Sequence, residues 1–247
     1  SKEDFKFHAA HFVAFEGYRE RLHGHNYKVG VRLLGSRKVA SDGYVVDFGD
    51  IKKVTRAVCK ELNEHFLCPM QSNVLKIEVS DTEGSNHKSN KKASVTLTCE
   101  DGSTFVFPRD DCALLPIVHA TAEEMAVYLW SRILDGLNAD YLLNRGIHTM
   151  EVIVAEAVGQ EAVFRLEIPK ESLSGPLDVA NFVTTGKIKP VPCPSAPDTN
   201  NNNNNNKPLT NSKLQSACCE ACRNEFSKQL KGLVSQLNDK KITGRRG

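Results

Sequence analysis

Leu22-His23-Gly24-His25-Asn26-Tyr27 sets two imidazoles two residues apart in a run that alternates strictly. His23, His25, Tyr27, Val29, Val31 and Leu33 fall on one side, and Gly24, Asn26, Lys28, Gly30 and Arg32 on the other. A period of two predicts a half-buried strand on which residues i and i+2 point the same way. A third imidazole stands upstream in Phe5-Lys6-Phe7-His8-Ala9-Ala10-His11, where Phe5, Phe7, Ala9 and His11 share a face. If the two strands pair as a hairpin, His11, His23 and His25 converge. Three neutral imidazoles and one open position suit a catalytic Zn2+, which keeps its charge and acts as a Lewis acid.

The elements that must hold these residues are legible in outline. Residues 5–12 and 22–35 read as the first two strands, joined by a loop rich in charge at Glu16, Arg19, Glu20 and Arg21. After a turn at Ser41-Asp42-Gly43, Asp50 is the expected cap of a helix with Ile51, Val54, Val58, Leu62 and Phe66 on its apolar stripe. Residues 74–79 form a short strand, 80–94 an exposed polar loop, and 95–99 with 104–107 a hairpin turning at Gly102. Thr121 caps a second helix, Glu124 completes a capping box, and Met125, Tyr128, Leu129, Ile133 and Leu137 supply its buried stripe. Residues 149–156 and 162–168 alternate as a last strand pair. The layout is α+β, with an antiparallel four-stranded sheet, two helices on one face and the hairpin as an addition.

Composition excludes several functions. The 247 residues are 40% hydrophobic and 25% charged, with a formal net charge of +2, so nothing favours nucleic acid. No apolar run is long enough to cross a membrane and no secretory signal is visible, so a cytoplasmic location is expected. The eight cysteines are scattered, which is not a disulfide framework. Residues 1–170 are expected to form the folded domain. Residues 171–212, Pro-rich and then Asn-rich, read as a disordered linker, and 213–247 as a tail with one amphipathic helix. Cys219-Glu220-Ala221-Cys222 in that tail has no second thiol pair or histidine behind it and reads as incidental.

Six words in order resemble the 6-pyruvoyl-tetrahydropterin synthase family, which includes the 6-carboxy-tetrahydropterin synthases. They are Phe7-His8-Ala9-Ala10-His11, residues 22–27, Asp47-Phe48-Gly49-Asp50-Ile51-Lys52, residues 62–67, Thr121-Ala122-Glu123 and Val154-Ala155-Glu156. The resemblance implies the tunnelling fold (T-fold) and a zinc enzyme acting on a small pterin, 7,8-dihydroneopterin triphosphate. It also implies a homo-oligomer, a trimer or a hexamer of stacked trimers, with sites at the interfaces. Glu156 matches the family's pterin-anchoring glutamate, and Thr121 with Glu123 matches a word that lines the pocket. Arg19, Arg21 and Lys28 are the available cations for the triphosphate.

Two departures bear on mechanism. The family's usual base is a cysteine in the loop before His-Gly-His; here Arg19-Glu20-Arg21 occupies that place, so the chain resembles the subgroup in which glutamate substitutes. The family's Asp-His pair is replaced by Asn63-Glu64, with His65 one place later, so Glu64 and His65 are the expected proton relay and His119 or His148 the substitutes. A carboxylate is a weaker base than a thiolate and is better matched to a zinc-acidified hydroxyl than to a carbon acid. The expected reaction is therefore a lyase step in pterin or folate biosynthesis that forms 6-hydroxymethyl-7,8-dihydropterin, with 6-pyruvoyl-tetrahydropterin minor. The alternative is a zinc-containing pterin-binding module that has lost catalysis.

Overall fold

The computed structural model describes residues 5–36, 39, 41–80, 93–170, 181–182 and 185–186. Its strands are β1 (Phe5–His11), β2 (Ala14–Phe15), β3 (Tyr18–Arg19), β4 (His23–Gly35), β5 (His65–Pro69), β6 (Lys76–Ser80), β7 (Ser94–Thr98), β8 (Thr104–Pro108), β9 (Cys112–Leu115), β10 (Ile147–Ala157) and β11 (Gln160–Glu167). The helices are α1 (Phe48–Leu62), α2 (Ala122–Leu137) and the short α3 (Ala139–Asn144).

The main sheet runs β11-β10-β4-β1-β5-β9. Its first four strands are antiparallel, as the alternation predicts, but β5 and β9 extend it with parallel pairings to β1 and to each other. The sheet is therefore six-stranded and mixed, a correction to the four-stranded expectation. Phe66 belongs to β5 and not to α1, because the helix ends at Leu62 and Asn63 is its C-cap. Asp47, not Asp50, caps α1: its side chain accepts the Gly49 amide at 2.7 Å, while Asp50 sits in the first turn and faces the positive end of the helix dipole.

α1 packs on β1, α2 on β10 and β11, and the two helices on each other. Val54 and Gly136 meet there; a Cβ on Gly136 would stand 2.6 Å from Val54 Cγ1, so the helices approach through the glycine. Between helices and sheet lie Phe7, Tyr27, Val29, Val58, Leu62, Leu129, Ile133, Val152 and Val154, all nearly solvent-free. α2 is buried on more than its predicted stripe, since Trp130 is also enclosed and donates its indole N–H to the Met150 carbonyl at 2.9 Å.

The expected hairpin is two strands of a three-stranded sheet, β6-β7-β8. A second core fastens it: Val95 and Leu97 with Phe105 and Phe107 pack on Phe12, Phe66, Cys68 and Cys112, and Phe66 stacks on Phe107 at 4.5 Å. Among the described residues no helix is long and apolar enough to cross a membrane, and Cys59, Cys68, Cys99 and Cys112 are free and buried. Within segment 171–212, residues 181, 182 and 185 are helical, and Phe182 meets Phe164 edge-on at 5.2 Å. The rest of that segment and the tail, with Cys219 and Cys222, lie outside the described residues.

Candidate functional site

The β1–β4 register sets His11 opposite His23 and Ala9 opposite His25, so the three imidazoles share one face at one end of the pair. Ring centroids lie 4.6 Å (His11–His23), 5.1 Å (His11–His25) and 4.9 Å (His23–His25) apart. Each ring offers one nitrogen to a set lying within 4.8 Å of one another. Gly24 is needed between the two imidazoles of β4: a Cβ there would stand 3.0 Å from the Ala9 carbonyl oxygen.

Two of the rings are oriented by main-chain carbonyls. His11 Nδ1 donates to Ala120 O at 2.7 Å, and His23 Nδ1 donates to Arg21 O at 2.8 Å. Those bonds fix the proton on Nδ1 and leave the Nε2 lone pair for a ligand, the usual second contact of a metal-binding histidine. His11 is 2% exposed, and its Nε2 is a buried nitrogen with no hydrogen-bond partner. Burial pushes the His11 imidazole below its usual range, against the Ala120 carbonyl and Glu156, so the ring is neutral. Three imidazole nitrogens this close, one of them buried without a partner, fit a divalent ion of the imidazole-binding kind.

Glu156 lies beside the cluster, and Glu20 is near enough to act on Tyr27 of the same strand. Glu156 follows the alternation of Val152 and Val154 to the end of β10, where the register with β11 shifts between Ala155 and Ala157. Its Oε1 lies 4.0 Å from His11 Nε2 and accepts the Tyr27 hydroxyl at 3.3 Å. Tyr27 is fully buried and stacked on Phe7 at 4.6 Å. Burial, then Glu156, then Glu20 push its phenol upward, so it remains a hydrogen-bond donor. Glu20 follows the small β2–β3 hairpin. Its backbone N–H donates to Val13 O at 2.9 Å, and its Oε2 accepts the Val13 amide at 3.0 Å. Arg19 does not pair with this carboxylate; its guanidinium turns to Asp101.

The remaining sequence-derived residues are placed elsewhere. Glu64 and His65 line a cleft of about 470 Å3 with His8, Gly24, His25 and Asn26. His65 Nδ1 donates to Asn63 O at 2.7 Å, and among the described residues neither side chain bonds to Glu20 or the imidazoles. Thr121 caps α2, accepting the Glu124 amide at 3.3 Å. With Glu123 it opens on a groove of about 550 Å3 beside Ala162, Val163 and Phe164 of β11. Lys28 lies on the face opposite the imidazoles, and the Arg19 guanidinium is bonded to Asp101 and Ser103. His119 is bound to Glu124 at 2.9 Å and His148 to Thr149 at 2.7 Å. Tyr27 was legible as a neighbour of the ligands on their own strand face. The Ala120 and Arg21 carbonyls and the Val13 amide carry no side-chain signal.

Comparison with known proteins places this geometry. The family model of 6-pyruvoyl tetrahydropterin synthase matches residues 1–167. A protein of Methanocaldococcus jannaschii, described provisionally as 6-carboxy-5,6,7,8-tetrahydropterin synthase, is 34% identical over 164 residues, 65% of this chain and 89% of the relative. The solved 6-pyruvoyl tetrahydropterin synthase of Plasmodium vivax is 40% identical and superposes with a TM-score of 0.60 over 66% of this chain and 93% of its own. A further structure of that enzyme carries alanine in place of a glutamate named as its catalytic residue. A dihydroneopterin monophosphate aldolase of Pyrococcus furiosus is 42% identical over 67 residues, 27% of this chain and 55% of the aldolase. The chain belongs to the 6-pyruvoyl tetrahydropterin synthase family.

Proposed function

We propose that the chain is a zinc-dependent lyase acting on 7,8-dihydroneopterin triphosphate. His11, His23 and His25 hold the zinc, Glu20 is the base, and Glu156 anchors the pterin. The observation that carries this reading is the cluster of three imidazoles with an orphaned His11 Nε2 and Glu156 beside it. Glutamate as catalytic residue in the Plasmodium vivax enzyme supports the role of Glu20. The partial match to an aldolase supports carbon–carbon cleavage.

The bound zinc would acidify the hydroxyls of the substrate side chain. Glu20 takes the proton from the hydroxyl on the second side-chain carbon; the Val13 amide holds one carboxylate oxygen and leaves the other to act. The oxygen's electron pair forms a carbonyl as the bond between the first and second carbons breaks. The electrons of that bond pass into the ring system, and a proton returns to the first carbon. The products are 6-hydroxymethyl-7,8-dihydropterin and glycolaldehyde triphosphate, and the atoms balance. Glu156 accepts the ring's N2 amine and N3–H in paired, charge-assisted bonds, while Tyr27 holds the carboxylate from behind. Glu64 and His65 return the proton, and Thr121 and Glu123 line the pocket. Glu64 and His65 line a cleft that His25 also borders, whereas Thr121 and Glu123 open on a separate groove, and we place the complete site in an assembly of chains, a trimer or a stacked pair of trimers.

The test is incubation of purified protein with 7,8-dihydroneopterin triphosphate and identification of products by mass. The expected main product is 6-hydroxymethyl-7,8-dihydropterin, with 6-pyruvoyl-tetrahydropterin minor, and Glu20→Cys shifts the ratio toward the latter. Formation of the pyruvoyl compound alone, at a rate untouched by Glu20→Gln, would exclude Glu20 as the base.

A further inference from the structure

Glu20 is delivered to the site by a hairpin that cannot hold itself in place. β2 and β3 pair through Ala14↔Arg19 and Phe15↔Tyr18 only, and a two-stranded hairpin of that size is unstable alone. Phe15 and Tyr18 stack at 4.8 Å but are half exposed. The β7–β8 turn fastens them from outside. Glu100 Oε2 accepts the Gly17 amide at 2.9 Å. Asp101 Oδ2 accepts Arg19 Nε and Nη2 at 3.0 and 2.8 Å, and Ser103 Oγ accepts Nη2 at 3.1 Å. The guanidinium also lies 5.4 Å above the Phe105 ring. Its remaining nitrogen, Nη1, donates to the main-chain carbonyl of Glu20 at 3.0 Å.

One planar fork thus ties an acidic turn to the backbone of Glu20, a geometry that lysine cannot reproduce. The turn is a firm anchor. Asp101 Oδ1 accepts the Ser103 amide at 2.9 Å, Gly102 N donates to Cys99 O at 3.0 Å, and the strands on either side are fixed by the second core. The Ser103 amide and Arg19 hold the Asp101 carboxyl below its usual range, so it stays charged at neutral pH.

We propose that Asp101 and Arg19 are positioning residues for the base: the turn of the three-stranded sheet sets the height of the β2–β3 hairpin, and with it the aim of the Glu20 carboxylate. This rests on Glu20 being the base. An ion pair this exposed adds little to global stability, whereas a displacement of about 1 Å at a reacting group costs on the order of 100-fold in rate.

The experiment compares Asp101→Ala, Arg19→Ala, Arg19→Lys and Glu20→Gln with the double variant Glu20→Gln/Asp101→Ala, using the full chain loaded with zinc. Asp101→Ala and Arg19→Ala are expected to lower kcat about ten-fold or more with KM and zinc content unchanged, and Arg19→Lys to recover part of the loss. In the Glu20→Gln background, Asp101→Ala should cause no further loss. Hydrogen exchange at the Val13 and Glu20 amides should quicken in Asp101→Ala while the main sheet stays protected. If Glu20→Gln abolishes turnover but Asp101→Ala and Arg19→Ala keep wild-type kcat, the positioning role is wrong and the base stands. If Glu20→Gln leaves turnover intact, both fall. A loss in Asp101→Ala that recurs at full size in the Glu20→Gln background would mean a merely structural contact and overturn the inference.

Discussion

His11 Nδ1 and the carbonyl oxygen of Ala120 are 2.7 Å apart, although 109 residues separate them in sequence. The bond ties the loop before α2 to the imidazole cluster. That loop is itself held by Glu124, 3% exposed, whose Oε2 accepts the Val118 and His119 amides at 2.8 and 3.1 Å and whose Oε1 accepts His119 Nδ1 at 2.9 Å. Glu124 does not reach back to the cap residue as a capping box requires; it braces the carbonyl that orients His11.

Glu124→Ala should therefore weaken metal binding about 10- to 100-fold, the usual cost of losing an outer support of a ligand. Glu124→Gln keeps an oxygen for the two amides and should lose less. Chelator-competition titration of zinc checks both. Unchanged affinity in Glu124→Ala would show that the Ala120 carbonyl needs no brace.

Metal analysis should give about one zinc per chain, removable by chelators and absent from a His23→Ala/His25→Ala protein. His11 alone, with its Nε2 facing Glu156 and nothing else, is not a site. Full occupancy in the double variant would place the metal elsewhere.

What the sequence disclosed follows the range of its signals. Strict alternation in β1 and β4 revealed the shared face of the three histidines, because a period of two survives any tertiary context. The capping residue of α2 was equally plain. β5 and β9, five and four residues long, were missed because short parallel strands have no period of their own. Phe66 fitted the helical spacing of α1 by accident, and only the break at Asn63 puts it on a strand. Arg19 pairs with Asp101, 82 residues on, and no local pattern marks that pairing.

Glu151 gives a pH prediction. It is 1% exposed between Arg32 and Arg165, which are 65% and 61% exposed. Arg165 foremost, then Arg32, hold its carboxyl below the usual range against the opposing effect of burial. A depressed folded value contributes stability above the unfolded value of about 4.3, and that stability is lost as pH falls through the folded one. Glu151→Gln should cost about 1–3 kcal/mol at neutral pH and flatten the acid limb of the stability curve. The well-solvated arginines keep the loss below that of a fully buried pair. Denaturant titrations across pH check it.

Among the described residues β11 and β9 are the two outer strands of the six-stranded sheet, and free edges are usually paired or protected. Light scattering at micromolar concentration should show a multiple of three chains. A monomer would remove the interface on which the proposed site depends.

The last prediction concerns Glu64, which has φ +62° just after the end of α1. A left-handed residue past a helix terminus is normally glycine or asparagine, and α2 follows that rule with Asn138 at φ +66°. Its backbone N–H donates to His8 O at 2.6 Å, so the strained turn is pinned to β1 rather than free to relax. Strain retained by a glutamate where glycine would suffice points to a use for the side chain. Glu64→Gly should raise stability by about 1 kcal/mol, since the left-handed penalty of about 1–2 kcal/mol outweighs the extra chain entropy of glycine. If Glu64 belongs to the proposed proton relay, the same change should lower turnover more than ten-fold. A Glu64→Gly protein that is more stable and fully active would show that the carboxylate takes no part and leave His65 to return the proton alone.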